Sequence, residues 1–152
     1  IEADILPWAQ EHEVGLLVYS PIAQGLLTGK VPAERSFSLD EGRAKKPDFQ
    51  AENRARVNAV IDEVLRPIAA ERGATVTQVV LAWTIAQPGI TSALVGARTP
   101  EQVRENAAAA ELSLSEEERA LIALAFEAVK VDRGQAGFAA RARAKLKHLF
   151  GR

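Results

Sequence analysis

Between Asp4 and Glu13 the apolar residues Ile5, Leu6, Trp8 and Ala9 fall at helix-compatible spacing, and Val14-Gly15 closes the segment, so a short helix is predicted first. Val14 to Ser20 is then a nearly unbroken apolar run that stops at Pro21, the pattern of a parallel strand buried on both faces. From Glu52 onward Val57, Val60, Ile61, Val64, Leu65 and Ile68 form one apolar stripe ending at Gly73, which predicts a long helix. Pro67 lies inside it, removes a backbone donor and is predicted to bend it. Thr75 and Gln78 read as a capping box that opens a helix running to about Gln87, where Pro88-Gly89 breaks it. Ile90 to Gly96 reads as a second short buried strand. Two further capping boxes follow, Thr99 with Gln102, carrying Pro100 at the first helical position, and Ser115 with Glu118. The last opens a helix with Leu121, Ile122, Ala125, Phe126 and Val129 on its inner side.

The stretch from Ile22 to Gln50 has no sustained period, carries Gly25, Gly29, Gly42, Pro32 and Pro47, and is long for a plain connector; such loops are usually functional or mobile. Past Gly134 and Gly137, Phe138 to Phe150 reads as a basic amphipathic helix with a weaker pattern. Strands alternating with helices imply an α/β fold built from right-handed parallel crossovers. Two strands alone leave a sheet with two exposed edges, whereas an eight-stranded barrel of this type takes roughly 250 residues. The chain therefore reads as a piece of a larger architecture. It contains no Met, so Ile1 is expected not to be the natural start of the gene product.

Composition changes this picture little. With 47% apolar residues and a net charge of -1, the 152-residue chain belongs with ordinary globular domains rather than disordered or fibrous ones. The absence of Cys excludes disulfides, thiolate metal sites and a thiol nucleophile, and is compatible with the cytoplasm. No apolar run approaches the length of a membrane span. Charge is unevenly spread: residues 130–152 hold seven basic side chains against Asp132, a net +6, which leaves -7 for residues 1–129. An acidic body argues against nucleic-acid binding by the globular part. Docking of the basic tail on nucleic acid or an anionic membrane competes with the plainer reading of a solvated extension, which is preferred.

Two segments carry candidate chemistry. Tyr19-Ser20-Pro21-Ile22-Ala23-Gln24-Gly25-Leu26-Leu27-Thr28-Gly29-Lys30 follows the first strand, where loops of parallel sheets bind ligands, and Gly25 and Gly29 would let backbone amides approach an anion. Gly96-Ala97-Arg98-Thr99-Pro100-Glu101-Gln102-Val103-Arg104-Glu105-Asn106 delivers the second strand onto a helix amino terminus, whose amides favour phosphate, with Arg98 and Arg104 as charge partners. Two such loops on successive strands suggest a dinucleotide. Plainer readings stand beside these. The glycines suit turns, Thr99 and Gln102 suit caps, Tyr19 suits a half-buried strand position, and Glu116-Glu117-Glu118 suits a helix start. His12 reads as a surface cap and His148 as solvated, neither with companions at metal-ligand spacing. Spacing alone defines no acid–base pair.

On these two segments, and on Val79-Val80-Leu81-Ala82-Trp83 between them, the sequence resembles the aldo-keto reductase superfamily, in its bacterial and plant-type members, from about Glu2 to Val129. The resemblance implies the carboxyl-terminal portion of a (β/α)8 TIM barrel, two parallel strands with surrounding helices, as a partial domain over residues 1–129 followed by a basic tail at 130–152. It implies NADPH as cofactor and reduction of aldehydes or ketones by hydride transfer. By carry-over, Tyr19 would stack on the nicotinamide; Ser20, Ile22, Gln24 and Gly25 would line the pyrophosphate. Gly96 and Arg98 would lie near the 2′-phosphate, Gln102, Glu105 and Asn106 would hold the adenosine end, and Pro21 and Ala97 are counted among the cofactor-binding residues. The family's Asp, Tyr, Lys and His set lies in the first half of the barrel, so no catalytic residue is expected here and no metal. A small carbonyl compound is the expected substrate once the rest of the barrel is present. Self-association through exposed strand edges is expected, and binding to nucleic acid or membrane is not. The alternative is a non-catalytic NADPH-binding sensor or interaction subunit.

Overall fold

The computed structural model describes residues 1–132. In order these form α1 (Ile5–Glu11), β1 (Leu16–Tyr19), a 3-10 segment (Ala23–Thr28), a 3-10 turn (Pro47–Phe49), α2 (Ala51–Val60), a π turn (Ile61–Leu65), α3 (Arg66–Glu71), α4 (Val76–Ile85), β2 (Ile90–Leu94), α5 (Pro100–Ala108) and α6 (Glu116–Glu127). The predicted helix at Phe138–Phe150 lies outside the described residues.

The two strands pair in parallel, with Leu17 opposite Ser92, Val18 opposite Ala93 and Tyr19 opposite Leu94. The register slips between Leu16 and Leu17, leaving Thr91 as the extra residue on β2. Its hydroxyl accepts the Leu16 N–H at 3.1 Å, so the displaced donor is still satisfied. Gly15 fits closely beside it, since a Cβ there would stand 3.1 Å from Thr91 Oγ1.

The core sits within the helical layer rather than under the sheet. Val57, Ile61, Leu65 and Ile68 from the predicted stripe are buried with Val76, Val79 and Val80 of α4, Ile122 of α6, and Leu26 and Phe49 from the long loop. Val60 and Val64, at the stripe's margin, are half-buried. Ahead of Pro67 the chain widens into the π turn, where the Arg66 N–H reaches Ile61 O five residues back. Proline cannot donate and crowds the preceding turn, and widening that turn is how the helix passes it without breaking.

Capping follows the sequence closely in two cases. Thr75 Oγ1 accepts the Gln78 N–H at 3.2 Å while Gln78 Oε1 accepts the Thr75 N–H at 2.8 Å. Ser115 and Glu118 make the same exchange at 3.2 and 2.6 Å. The third predicted box is only half formed. Thr99 Oγ1 accepts the Gln102 N–H at 3.3 Å, but Gln102 Oε1 reaches past Thr99 to the N–H of Arg98 at 2.8 Å.

Two burial expectations are overturned. Both strands were expected to be covered on each face, yet Leu17 is 59% and Leu94 54% exposed. Parallel strands are buried only when flanked on both edges and covered on both faces, and the described residues provide a two-stranded sheet. Leu121, expected on the inner side of α6, is half exposed; Ile122 is the residue of that helix that enters the core. The unperiodic stretch after Pro21 is also less featureless than its sequence suggests, since two 3-10 turns bring Leu26 and Phe49 into the core.

Candidate functional site

The chain leaves β1 through an unusual backbone. Ser20, Ala23 and Gln24 adopt left-handed φ values of 55°, 47° and 57°, and Gly25 follows at 94°. Each such non-glycine residue costs roughly 1–2 kcal/mol, and runs of this kind concentrate at ligand clamps. The run is held by Ala23 N–H to Ser20 O and Gly25 N–H to Ile22 O, both 2.9 Å, and by Thr28 Oγ1 donating to Gly25 O at 2.7 Å. Lys46 Nζ donates to Gln24 Oε1 at 2.8 Å, fixing the side chain from across the loop.

The segment that follows is pinned by side chains of the helix beneath it. Arg66 donates to Gly29 O at 3.2 Å and Asn58 to Val31 O at 3.1 Å, while Arg54 donates to the carbonyls of Ala33, Arg35 and Phe49, the last two at 2.7 and 2.6 Å. A tight turn, Arg35 N–H to Pro32 O at 3.2 Å, brings the Ala33 and Arg35 oxygens to one guanidinium. Arg54 is only 4% exposed. Phe37 stacks edge-on against Phe49 at 5.6 Å, and the guanidinia of Arg35, Arg43 and Arg54 lie about 5 Å from the Phe37 ring centre.

Between this loop and the start of α5 opens a cavity of about 590 Å³. One wall carries Ser20, Pro21, Ile22, Gln24 and Gly25; the other carries Gly96, Ala97, Arg98, Gln102, Glu105 and Asn106. The two segments singled out in the sequence thus meet. Tyr19 is not in the wall. It stands at the end of β1, 83% exposed and paired in register with Leu94, which does line the cavity. The half-buried strand position expected for it is not what the structure gives.

The glycines separate. Gly25 is needed for its φ, since a Cβ would meet nothing within 4 Å. Gly29 fills the turn role: its φ is 69° and a Cβ would press on Arg66 Nη2 at 3.2 Å and Ile61 Cγ2 at 3.3 Å. It does not line the cavity. At Gly96 neither a left-handed backbone nor a neighbour demands glycine, so a Cβ there would only take up open space beside the cavity. Close approach by a ligand is the use such a position offers.

The sequence reading missed Arg35, Arg43 and Thr77 in the wall. The first two lie in a loop whose cations, Arg35, Arg43, Lys45 and Lys46, are matched in number by Glu34, Asp40, Glu41 and Asp48, so no net charge marked them. Thr77 gave no signal beyond being polar in the first turn of an apolar helix.

Cations dominate the wall. Lys30, Arg35, Arg43 and Arg98 face Glu105, with Lys30 Nζ 3.9 Å from Glu105 Oε1 and Arg43 bound to Glu41 at 2.6 Å. Arg43 holds the Glu41 carboxyl below its usual range chiefly through that hydrogen bond. The Arg98 guanidinium has no carboxylate partner among the described residues. With the amino terminus of α5 beside it, this arrangement suits phosphate groups. A second cavity of about 410 Å³, walled by Leu81, Ile85, Val95, Val103 and Ala107 among others, has no ionisable side chain and offers an anion no counter-charge. His12 binds Trp8 O through Nδ1 at 2.9 Å and stacks on the Trp8 ring at 4.3 Å, at a surface helix end. Among the described residues no helix is long and apolar enough to cross a membrane.

The chain is similar to known proteins over most of its length. The model of the Aldo/keto reductase family matches residues 1–125. The NADH-specific methylglyoxal reductase of Escherichia coli is 36% identical over 130 residues, covering 86% of this chain and 39% of that protein. An Arabidopsis thaliana protein named "Probable voltage-gated potassium channel subunit beta" is 34% identical over 113 residues, covering 70% of this chain and 33% of the other. Among solved structures, the glycerol dehydrogenase of Gluconobacter oxydans superposes with a TM-score of 0.78 at 33% identity, over 87% of this chain and 40% of that one. The chain thus spans between a third and two fifths of the length of the relatives it matches.

Proposed function

Since the chain belongs to the aldo/keto reductase family, whose members are nicotinamide-dependent oxidoreductases on a (β/α)8 barrel, we propose that its cationic cavity binds the phosphate and adenosine portion of NADPH, in the service of carbonyl reduction. The observation that carries this reading is the meeting of two strand ends and a helix amino terminus around one cavity, with Gly96 open to it and Arg98 without a carboxylate partner among the described residues.

The bound nicotinamide supplies the hydride that reduces an aldehyde or ketone carbon. The residues of this chain bind and orient. Ser20 to Gly25 present a preset backbone to the pyrophosphate, and Arg98 neutralises the 2′-phosphate that distinguishes NADPH from NADH. Glu105 and Asn106 contact the adenosine, and the exposed Tyr19 ring offers a flat face to the nicotinamide. The group that protonates the carbonyl oxygen is assigned to the other strands of a whole barrel, and the carbonyl substrate binds where those strands stand beside this chain. The E. coli relative is named as NADH-specific, so NADH is the competing nucleotide for this site. The Arabidopsis relative is named as a channel subunit, which favours the second reading, a nucleotide-binding interaction subunit without turnover.

Titration with NADPH and NADH, followed by the fluorescence of Trp8 and Trp83, tests it. Saturable binding with NADPH favoured is expected, and Arg98→Ala should abolish the preference by weakening NADPH about tenfold while leaving NADH little changed. No saturation with either nucleotide would overturn the proposal. Binding without carbonyl-dependent oxidation of the nucleotide, in a protein that includes the remaining barrel strands, would favour the interaction subunit.

A further inference from the structure

The outer side of α6 is apolar where a helix facing solvent is ordinarily polar. Ile122 carries that helix into the core, while Leu121 and Leu124 stand 50% and 65% exposed, with Ala120 and Ala128 exposed beside them. Glu116, Glu117 and Glu127, all exposed, flank this stripe at its two ends. Past the helix the chain stays close. The Val129 N–H bonds Phe126 O at 3.1 Å, Arg56 Nη1 donates to Lys130 O at 2.9 Å, and the Asn53 amide pairs with the main chain of Asp132. Asp132 is therefore fixed on α2, a short way beyond the carboxyl end of α6.

Residues 138–150, which lie outside the described residues, carry the complementary pattern in their sequence. At helical spacing Phe138, Ala142, Leu146, Leu149 and Phe150 fall on one arc, with Arg143 and Lys147 to one side of it and Arg141 and Lys145 to the other. That stretch would span about 20 Å as a helix, against about 18 Å for the 12 residues of α6. Residues 133–137, which include Gly134 and Gly137, supply up to about 17 Å of chain, enough to turn back across the roughly 8–10 Å between packed helices. We propose that the exposed stripe of α6 is covered by the chain's own residues 138–150, running antiparallel to it, with their apolar arc on Leu121 and Leu124 and their basic flanks beside Glu116, Glu117 and Glu127. A second copy of α6 suits the stripe less well, because antiparallel pairing would set Glu116 and Glu117 of one copy against Glu127 of the other. An external anionic surface would draw the basic residues and leave Leu121 and Leu124 bare.

The chain has no Cys, so Leu124→Cys places a single thiol on the stripe, at a position outside the core. The test compares the rate at which a maleimide labels that thiol in the full chain with the rate in the double variant Leu124→Cys, Leu146→Asp, which puts a charge into the covering arc and leaves the described residues otherwise unaltered. The single variant should be labelled about tenfold more slowly than the double one, at a rate independent of protein concentration. Equal rates overturn the inference, since they leave the stripe open to solvent in both. Protection that grows with protein concentration also overturns it and assigns the stripe to a second copy. Carbodiimide coupling gives a further reading with no substitution: within one copy Lys147 should join Glu116 or Glu117, and a link to Glu127 in their place overturns the antiparallel placement.

Discussion

Arg54 Nη2 donates to the main-chain oxygen of Arg35 at 2.7 Å, so a guanidinium buried in the helical layer fixes the backbone beneath another that faces the cavity. The same group holds Ala33 O and Phe49 O. Arg54→Met removes these bonds and leaves the carbonyls without their donor, so it should destabilise the chain by roughly 3 kcal/mol. Arg54→Lys should recover less than half of that, because an ammonium group cannot span the carbonyls a planar fork reaches. Urea denaturation of the three proteins checks both statements.

Gly25, Gly29 and Gly96 should respond differently to alanine. Gly25→Ala forces a side chain onto a φ of 94° and should cost about 1–2 kcal/mol. Gly29→Ala adds the contact with Arg66 and Ile61 to the same backbone penalty and should cost more. Gly96→Ala should leave the melting temperature unchanged and weaken NADPH binding, since its methyl enters space beside the cavity. Thermal melting paired with nucleotide titration separates the three.

Asn53 is almost wholly buried and binds the chain at both ends of its amide. Its Nδ2 donates to Pro47 O at 2.8 Å and Asp132 O at 2.6 Å, and its Oδ1 accepts the Asp132 N–H at 2.9 Å. This pairs a side chain with a main-chain unit much as a neighbouring strand would. Asn53→Asp loses the donor and places a carboxylate against two carbonyls, so it should destabilise by at least 2 kcal/mol. Asn53→Ala should cost a comparable amount. A chemical-denaturation midpoint unchanged in either variant contradicts this.

Arg72 grips Glu118 with two bonds, Nε to Oε1 at 2.9 Å and Nη2 to Oε2 at 2.7 Å. Chiefly through that contact the guanidinium holds the Glu118 carboxyl below its ordinary range, against the opposing effect of burial. With the folded value below the unfolded one, about 4.3, the pair stabilises the protein above that pH. The contribution is lost as pH falls through the lowered folded value. The parent should therefore melt above Glu118→Gln at pH 6, and the two curves should converge in acid.

Much of the helical layer was legible from spacing alone. The stripe from Val57 to Ile68 and the exchanges Thr75–Gln78 and Ser115–Glu118 are local rules, decided within a turn or two of helix, and they appear where the sequence puts them. The two segments that meet at the cavity were legible from their motifs. Burial of the strands was not, because an apolar run states what a strand can tolerate and not what surrounds it; Leu17 and Leu94 carry that difference. Nor was the pinning of the long loop legible. No local pattern marks Arg54, Asn58 or Arg66, because their partners are the carbonyls of Gly29 to Arg35, which only the fold brings onto them. Gln102 shows the limit of motif reading even at short range, since a spacing that predicts one partner is satisfied by the residue before it.

The placement of the core beneath the helices, with the strands outside it, divides the molecule into a firm part and a soft one. Amide protons of the helix from Ala51 to Glu71 and of α4 should exchange with solvent far more slowly than those of β1 and β2, whose side chains contribute little to the buried cluster. The segments that leave those same strands line the cavity. A nucleotide seated there would tighten a part of the chain that the helical core does not cover, so the gain in exchange protection on binding should be greater at the strands than in the helices.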